Sequence, residues 1–555
     1  MVKIQTTLSN LQKEIGKKIS AKELEETLFD MGYELESIEE DTVIIDITAE
    51  RPDLISVQGL TRALKAYLGI KKGLPKYEVK KSGHKLFVKN TPSYWPYAVA
   101  FIAKNVKLDQ EKVRELIQLQ EKIGVTMLRN RKKGGVGLYP LQKLVFPITF
   151  EGRKPEDISF RPLEYPSILS AREILENHKK GKEYAHLMKD WKIYTVFVDA
   201  KGTIMSMPPI INSHDLGKID ETTTDLFIEC TGNDLNTILK VMNIFGASFI
   251  EMGAKVESID VHYKNKIITV PDLKPTKMKI SVDSANKILG LNLNNKEAKD
   301  LLEKMMYDVV NEKNQLTVFA PAFRTDLWHE RDIIDDIARA YTFHKFIPTF
   351  THVETIGETT KSIKIKEELE KIMIGLGFQE LFTLSLTSTV DQFKNMNISE
   401  EEHIRLGEST EKSLNMMRLW LLPELIKALV HNRNKEYPQK VFEVNYVVIP
   451  DKTKDVLSKN VFHISALSAH EKADFTEIKQ IVHYILTLFG YNYSIQDAEK
   501  NSFIPGRVGD IIVNNKKVGF LGELHPQVLE NVHIEVPIVG FEIDLTILFD
   551  LEKEI

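Results

Sequence analysis

Between Ala320 and Pro348 the chain reads APAFRTDLWHERDIIDDIARAYTFHKFIP, and no other stretch restricts its fold so tightly. Leu316, Val318 and Ala320 alternate as a strand that stops at Pro321, which has no N–H to donate. The loop Phe323-Arg324-Thr325-Asp326 follows. The spacing then predicts a helix from about Trp328 to Tyr341, ending before Ile347-Pro348. At about 100° per residue, Asp332, Asp335 and Asp336 share one sector of that helix, at i, i+3 and i+4. Ile333, Ile334, Ile337 and Ala340 take another side and supply a face to bury. Asp326, six residues before Asp332, brings a fourth carboxylate toward the acidic sector. Like charges at these spacings repel. Two arrangements relieve that cost. One is a hard cation such as Mg2+, which takes carboxylate oxygens and water. The other is a solvated acidic face near the helix N-terminus, where the dipole favours negative charge, with Arg331 and Arg339 as ion-pair partners.

A chain of 555 residues has room for several domains, roughly three to five at about 100–200 residues each. Hydrophobic residues at 43% and charged residues at 28% are an ordinary globular mixture with material for more than one core. With 74 basic and 79 acidic residues, the net charge of −5 argues against a chain whose whole surface grips nucleic acid. It leaves room for local contact with RNA. Cys230 is the single cysteine, so neither an intramolecular disulfide nor a cysteine zinc cluster can form. The first residues lack the apolar core of a secretory signal, and no run of 18 apolar residues exists. A cytoplasmic protein with no membrane span is expected.

In chain order, residues 1–75 read as a small α/β unit. Ser20 caps a helix through Leu28, Val43, Ile45 and Ile47 form a strand, and a helix runs from Val57 to Tyr67. The lysine-rich residues 76–90 read as a linker or exposed ribbon, with an RNA-binding patch as the alternative. Residues 91–265 form a second unit. In it, Ser206-Met207-Pro208-Pro209-Ile210-Ile211-Asn212-Ser213 carries a double proline expected to set an extended path. Further on, Phe227 to Asp234 alternates so that Glu229 and Thr231 share one side of a strand. On pattern alone this is a strand with one polar face. Gly134 to Gly137 (GGVG) is no phosphate loop, lacking the following Gly-Lys-Ser/Thr. Residues 268–347 form a third, α+β unit, with Asn294 and Glu297 in capping-box spacing. Residues 350–555 suggest an antiparallel sheet flanked by helices, with a helix over 362–376, a strand from Glu380 to Leu386 and another from Lys440 to Val444.

Several of these motifs resemble the beta subunit of phenylalanine–tRNA ligase, of the archaeal and eukaryotic type. The carriers are FRTDLWHERDIIDDIARAYTFHKFIP, the stretch SMPPIINS…DLFIECTGND, and Arg51, Pro52, Asp53, Ser56, Gly59 and Arg62 near the N-terminus. The resemblance implies an α+β multidomain chain. Its parts are an N-terminal α/β module (1–75), a tRNA-editing domain (91–265), a winged-helix-like domain (268–347) and a degenerate class II synthetase-like antiparallel sheet module (350–555). It implies Mg2+ held by Asp326, Asp332, Asp335 and Asp336 near the contact with an alpha subunit. It also implies an alpha2beta2 complex that joins phenylalanine to tRNA(Phe) with ATP as substrate, the aminoacylation site lying on the alpha subunit.

The editing domain of that family hydrolyses tyrosine wrongly joined to tRNA(Phe). A hydrophobic pocket rejects an analogue that merely adds a hydroxyl by only about a hundredfold. A second pocket that hydrogen-bonds the phenol supplies the rest. Glu229 is the expected acceptor of that phenol, with Ser206, Asn212 and Thr231 as positioning groups and a positioned water as nucleophile. The chain departs from the family at Gly137-Leu138-Tyr139-Pro140, where Pro140 replaces the usual Asp. It departs again at Val441-Phe442-Glu443, where valine stands in place of the arginine a working class II site needs. The alternative is a non-catalytic scaffold subunit with a defunct editing pocket. A stand-alone nucleic-acid-binding protein is the third reading, disfavoured by the near-balanced charge.

Overall fold

The chain forms a mixed α/β protein of two compact units, residues 1–349 and 350–555. The computed structural model describes residues 2–312, 315–351, 353, 355–409, 411 and 413–552.

In the first unit, local signals start the helices. Ser20 accepts from the Glu23 amide to cap Ala21–Asp30. Ser56 accepts from the Gly59 amide to cap Val57–Tyr67. Gly59 is needed there, because a Cβ would sit 1.9 Å from the Asp53 carbonyl oxygen. A three-stranded sheet, with Thr42–Ile47 between Val2–Thr7 and Glu34–Glu39, lies beside these helices.

The centre of the unit is a ten-stranded sheet. Its successive strands are Ile211–Asn212, Ile204–Met207, Tyr194–Val198, Ile148–Arg153, Lys80–Lys89, Lys255–His262, Tyr97–Lys104, Leu226–Gly232 and Gly134–Pro140. Ile267–Val270 pairs off this path with Lys255–His262. The apolar helix Leu235–Glu251 covers the sheet, and Phe249 meets Phe101 edge-on with centroids 6.1 Å apart. One continuous core runs from Ile4 through this sheet to Phe323.

Two expectations fail here. Residues 76–90 are not a linker: Lys80–Lys89 is an inner strand, parallel to both of its neighbours. Only Leu86 and Val88 of that strand are buried, so its lysines hide a strand pattern. The double proline does not run extended. Residues 208–210 turn between Ile204–Met207 and Ile211–Asn212, with a cis Pro208–Pro209 bond.

A second three-stranded sheet, Thr276–Ile280, Gln315–Ala320 and Asp308–Glu312, packs with three helices. Asn294 and Glu297 form a complete capping box at Asn295–Lys304. The acidic helix spans Glu330–Tyr341, two residues later than expected, because Asp332 folds back onto the amides of Trp328 and His329.

The second unit is a seven-stranded sheet. Its order is Gln379–Glu380, Gln439–Pro450, Ser458–Ala469, Ile538–Asp544, Lys516–Leu524, Phe503–Val513 and Tyr493–Asp497. All pairs are antiparallel except the first. Alternation sends Phe442 and Val444 into a core with helices Lys361–Gly375 and Phe475–Leu488, and Val441 into another with helix Leu422–His431. The expected strand from Glu380 to Leu386 survives only as two short pieces, Gln379–Glu380 and Leu386–Thr387. Between them, the Thr383 amide and hydroxyl both donate to Glu443 instead of to a neighbouring strand.

Candidate active site

Strand Leu226–Gly232 is buried along its whole length between Tyr97–Lys104 and Gly134–Pro140. Its register places Glu229 opposite Ala100 on one side and Gly137 on the other. Gly137 makes the room for a carboxylate. A Cβ there would lie 2.3 Å from Glu229 Oε1 and 2.7 Å from the Tyr139 hydroxyl oxygen. Gly137→Ala is therefore expected to force apart the carboxylate, the phenol or the strands. It should lower stability by about 1–3 kcal/mol, as overpacking does, measured by urea unfolding of the full chain.

The Tyr139 hydroxyl is the hub of the cluster. It lies 2.8 Å from Ser206 Oγ, 3.1 Å from Asn212 Oδ1 and 3.2 Å from Glu229 Oε1. Three of the four expected residues thus converge on a phenol of the chain itself. Thr231 lies on the same strand face as Glu229, two residues on, and its buried hydroxyl has no hydrogen-bond partner. Glu229 Oε2 is likewise buried and unpartnered. Sequence reading had cited Tyr139 only for the Pro140 departure beside it.

Glu229 and Asn212 line a cavity of about 250 Å³. Val136, Leu138, Ile117 and Pro209 give it apolar walls, and Arg131, Lys180 and Lys218 add positive charge. An apolar space with few polar groups is the ordinary form of a small-molecule site. Arg131 holds the proline turn, donating to the carbonyls of Pro209 at 3.0 Å and Ile210 at 3.1 Å.

Burial pushes Glu229 up to about 8 from an ordinary 4.5, and the Tyr139 hydroxyl only partly offsets it. The carboxyl is therefore mostly neutral at pH 7 in the ligand-free protein, and Oε2 can donate as well as accept. Burial and the neighbouring carboxyl push the Tyr139 phenol well above its usual range, so it stays protonated. The Glu229 shift carries a stability consequence. Between pH 4.5 and about 8 the unfolded chain has released this proton while the folded chain keeps it. The folded state binds more protons, so this contribution falls as pH rises through that window and levels off above it. Glu229→Gln removes the dependence. Its urea midpoint should gain on the wild type from about pH 5 to pH 8.

The acidic helix gathers its carboxylates differently from the expected Mg2+ cage. Asp326, Asp332, Asp335 and Asp336 do line one cavity, of about 190 Å³, with Glu50, Arg51, Arg324 and Arg339. Each already has a partner. Arg324 Nη1 lies 2.8 Å from Asp336 Oδ2 and Arg324 Nη2 lies 2.7 Å from Asp326 Oδ2. Tyr307 donates to Asp336. Arg339 Nε lies 2.8 Å from Asp335 Oδ2, and Asp332 caps its own helix. Among the described residues, no three acidic, histidine or cysteine side chains are grouped as ligands for a metal ion. As arranged, the quartet does not fit Mg2+. A buried guanidinium, which sequence spacing along one helix cannot reveal, takes the cation's place.

In the second unit, Arg418 reaches Glu443 at 3.0 Å, Thr383 at 2.7 Å and the Tyr446 carbonyl at 2.9 Å. Both charged side chains are sealed from solvent, at 0% and 1% exposure, so this guanidinium is closed to an external phosphate.

Comparison with known proteins agrees with this architecture. Three family models match: the Phe-tRNA synthetase beta subunit B1 domain over residues 1–70, the tRNA synthetase B5 domain over 278–343, and the phenylalanyl tRNA synthetase beta chain CLM domain over 347–545. The phenylalanine–tRNA ligase beta subunit of Pyrococcus horikoshii is 37% identical over 99% of this chain and 100% of its own length. That of Archaeoglobus fulgidus is 35% identical over 94% of each chain. The crystal structure of an N-terminal fragment of the Pyrococcus horikoshii beta subunit superposes with a TM-score of 0.60 at 38% identity, covering 61% of this chain and 99% of the fragment. Identity at this level along nearly the whole length places the chain in the phenylalanine–tRNA ligase beta-subunit family.

Proposed function

We propose that this chain supports ATP-dependent attachment of phenylalanine to tRNA(Phe) by an alpha subunit, in an alpha2beta2 complex of the cytoplasm, and hydrolyses mischarged tyrosyl-tRNA(Phe) in the Glu229 cavity. The observation that carries the hydrolytic reading is the buried, unpartnered Oε2 of Glu229 in a small apolar cavity. A phenol entering there satisfies that oxygen. A phenylalanine ring leaves it bare, at a cost of about 1–3 kcal/mol.

In this reading Ser206 and Asn212 act through Tyr139, which fixes Oε1 and so aims Oε2. Thr231 supplies a further hydroxyl on the same face. No Ser–His–Asp arrangement adjoins the cavity, so a positioned water is the nucleophile. Residues 268–347 serve as a winged-helix-like domain. Residues 350–555 serve as an inactive class II module packed on the alpha subunit, with Arg418 committed to Glu443. Mg2+ accompanies ATP in the complex, and the acidic quartet acts as a structural joint.

The test is deacylation by the complex reconstituted with its alpha subunit. Tyrosyl-tRNA(Phe) should be hydrolysed at least about a hundredfold faster than phenylalanyl-tRNA(Phe). Equal background rates on both, with normal phenylalanylation, would leave the scaffold reading in place.

A further inference from the structure

We propose that the basic turn at residues 129–133 is the surface that receives the phosphates of a single-stranded RNA end entering the Glu229 cavity. This rests on the hydrolytic reading above.

The turn reads Arg-Asn-Arg-Lys-Lys, four cations in five residues without a carboxylate, in a chain whose net charge is −5. A solvated charge run is the usual meaning of such a segment, and three observations set this one apart. The first is its backbone. Arg129, Asn130 and Arg131 have φ of 49°, 53° and 62°, three successive residues in the left-handed region. That region costs an ordinary side chain roughly 1–2 kcal/mol per residue, and such strain persists where the surroundings enforce it. Here the amides of Arg129, Asn130 and Arg131 donate to the carbonyls of Thr126, Val125 and Gly124, and Leu128 is anchored in the core. Arginines occupy positions that glycine would fill without strain.

The second observation is charge without partners. Arg129 and Lys132 are exposed, and Lys133 is half-buried. Among the described residues none of these three takes part in an ion pair, although thirty-five ion pairs occur elsewhere. The third is location. The Arg131 guanidinium stacks on the Tyr184 ring at 4.2 Å, and the Lys180 ammonium lies 5.6 Å from the same ring. Arg131 and Lys180 both line the cavity that Glu229 closes. Lys180 is partly neutralised by Glu183 at 3.1 Å, so the free positive charge belongs to the turn. A tract of unpaired arginine and lysine that ends at a cavity mouth fits a phosphate backbone leading a terminal group inward.

The experiment uses the reconstituted complex and measures tyrosyl-tRNA(Phe) hydrolysis across a salt series. The variant is Arg129→Ala with Lys132→Ala, which spares Arg131 and its hold on the proline turn. The expected result is a KM raised about tenfold, an unchanged kcat, and a log–log salt slope shallower by about 1, since each phosphate contact contributes roughly 0.7 on a single strand. Arg129→Lys with Lys132→Arg keeps the charge and should keep both KM and slope. Unchanged KM and slope in the alanine variant, with wild-type hydrolysis intact, overturns the proposal alone. Absence of hydrolysis by the wild type overturns the cavity reading and this proposal with it. A fall in kcat shared by both double variants means the turn is structural, and also overturns it.

Discussion

Glu229→Ala is expected to lower tyrosyl-tRNA(Phe) deacylation by about a hundredfold or more while phenylalanylation continues. A hundredfold corresponds to ~2.7 kcal/mol at the transition state. Two losses add up to that figure. The substitution removes the one open oxygen facing the cavity, worth about 1–3 kcal/mol to a phenol that needs a partner. It also strips the Tyr139 hydroxyl of one of its three neighbours, leaving Ser206 and Asn212 to hold it. Glu229→Gln separates the chemistry from the packing. It has nearly the same volume, and near pH 7 it replaces a neutral carboxyl by a neutral amide that still offers a donor and an acceptor. It should retain activity within about tenfold of the wild type. Equal, complete loss in both variants would mean that a charged carboxylate does the work, contrary to the burial that keeps it protonated.

Arg324→Ala should be the most destabilising single change in the first unit, lowering stability by about 3–5 kcal/mol, the cost of removing one member of a buried ion pair. Its side chain is 2% exposed and its two partners, Asp326 and Asp336, are 14% and 4% exposed. Truncation leaves two carboxylates facing each other without a cation in a poorly solvated space. It also loosens the loop before the acidic helix, where Phe323 lies 3.7 Å beneath the Arg62 guanidinium. Urea unfolding of the full chain, followed by probes in each unit, should show the transition of residues 1–349 moved to lower denaturant. The transition of residues 350–555 should stay in place. Millimolar Mg2+ should not restore the variant if the quartet is a structural joint. Full restoration by Mg2+ would mean the carboxylates can re-form around a metal.

Local signals in the sequence were strong where the chain needs only itself to form an element. Ser20, Ser56 and Asn294 each cap the helix expected of them. The helix wheel correctly put Asp332, Asp335 and Asp336 beside one cavity, with Ile333, Ile334 and Ile337 in the core. Partners from distant parts of the chain were hidden. Arg324 sits on the neighbouring loop and Tyr307 on another segment, and together they satisfy carboxylates that seemed to call for a metal. Strand Lys80–Lys89 was hidden for another reason: its exposed lysines mask an inner strand that buries only two side chains. At the cavity, alternation put Glu229 and Thr231 on one face. Only cross-strand register, linking residues 137 and 229, shows that Gly137 makes the space and Tyr139 the contact.

Arg131 touches both halves of the candidate site. Its guanidinium belongs to the basic turn, and the two carbonyls it holds, Pro209 and Ile210, belong to residues of the cavity wall. A displacement of that one side chain therefore changes the turn and the pocket floor together. By thermodynamic linkage, whatever factor an occupied turn adds to affinity in the pocket, an occupied pocket returns to the turn. Two weak grips joined in this way act as one check on the whole molecule: an amino acid without its RNA, or an RNA without the wrong amino acid, engages only half of it.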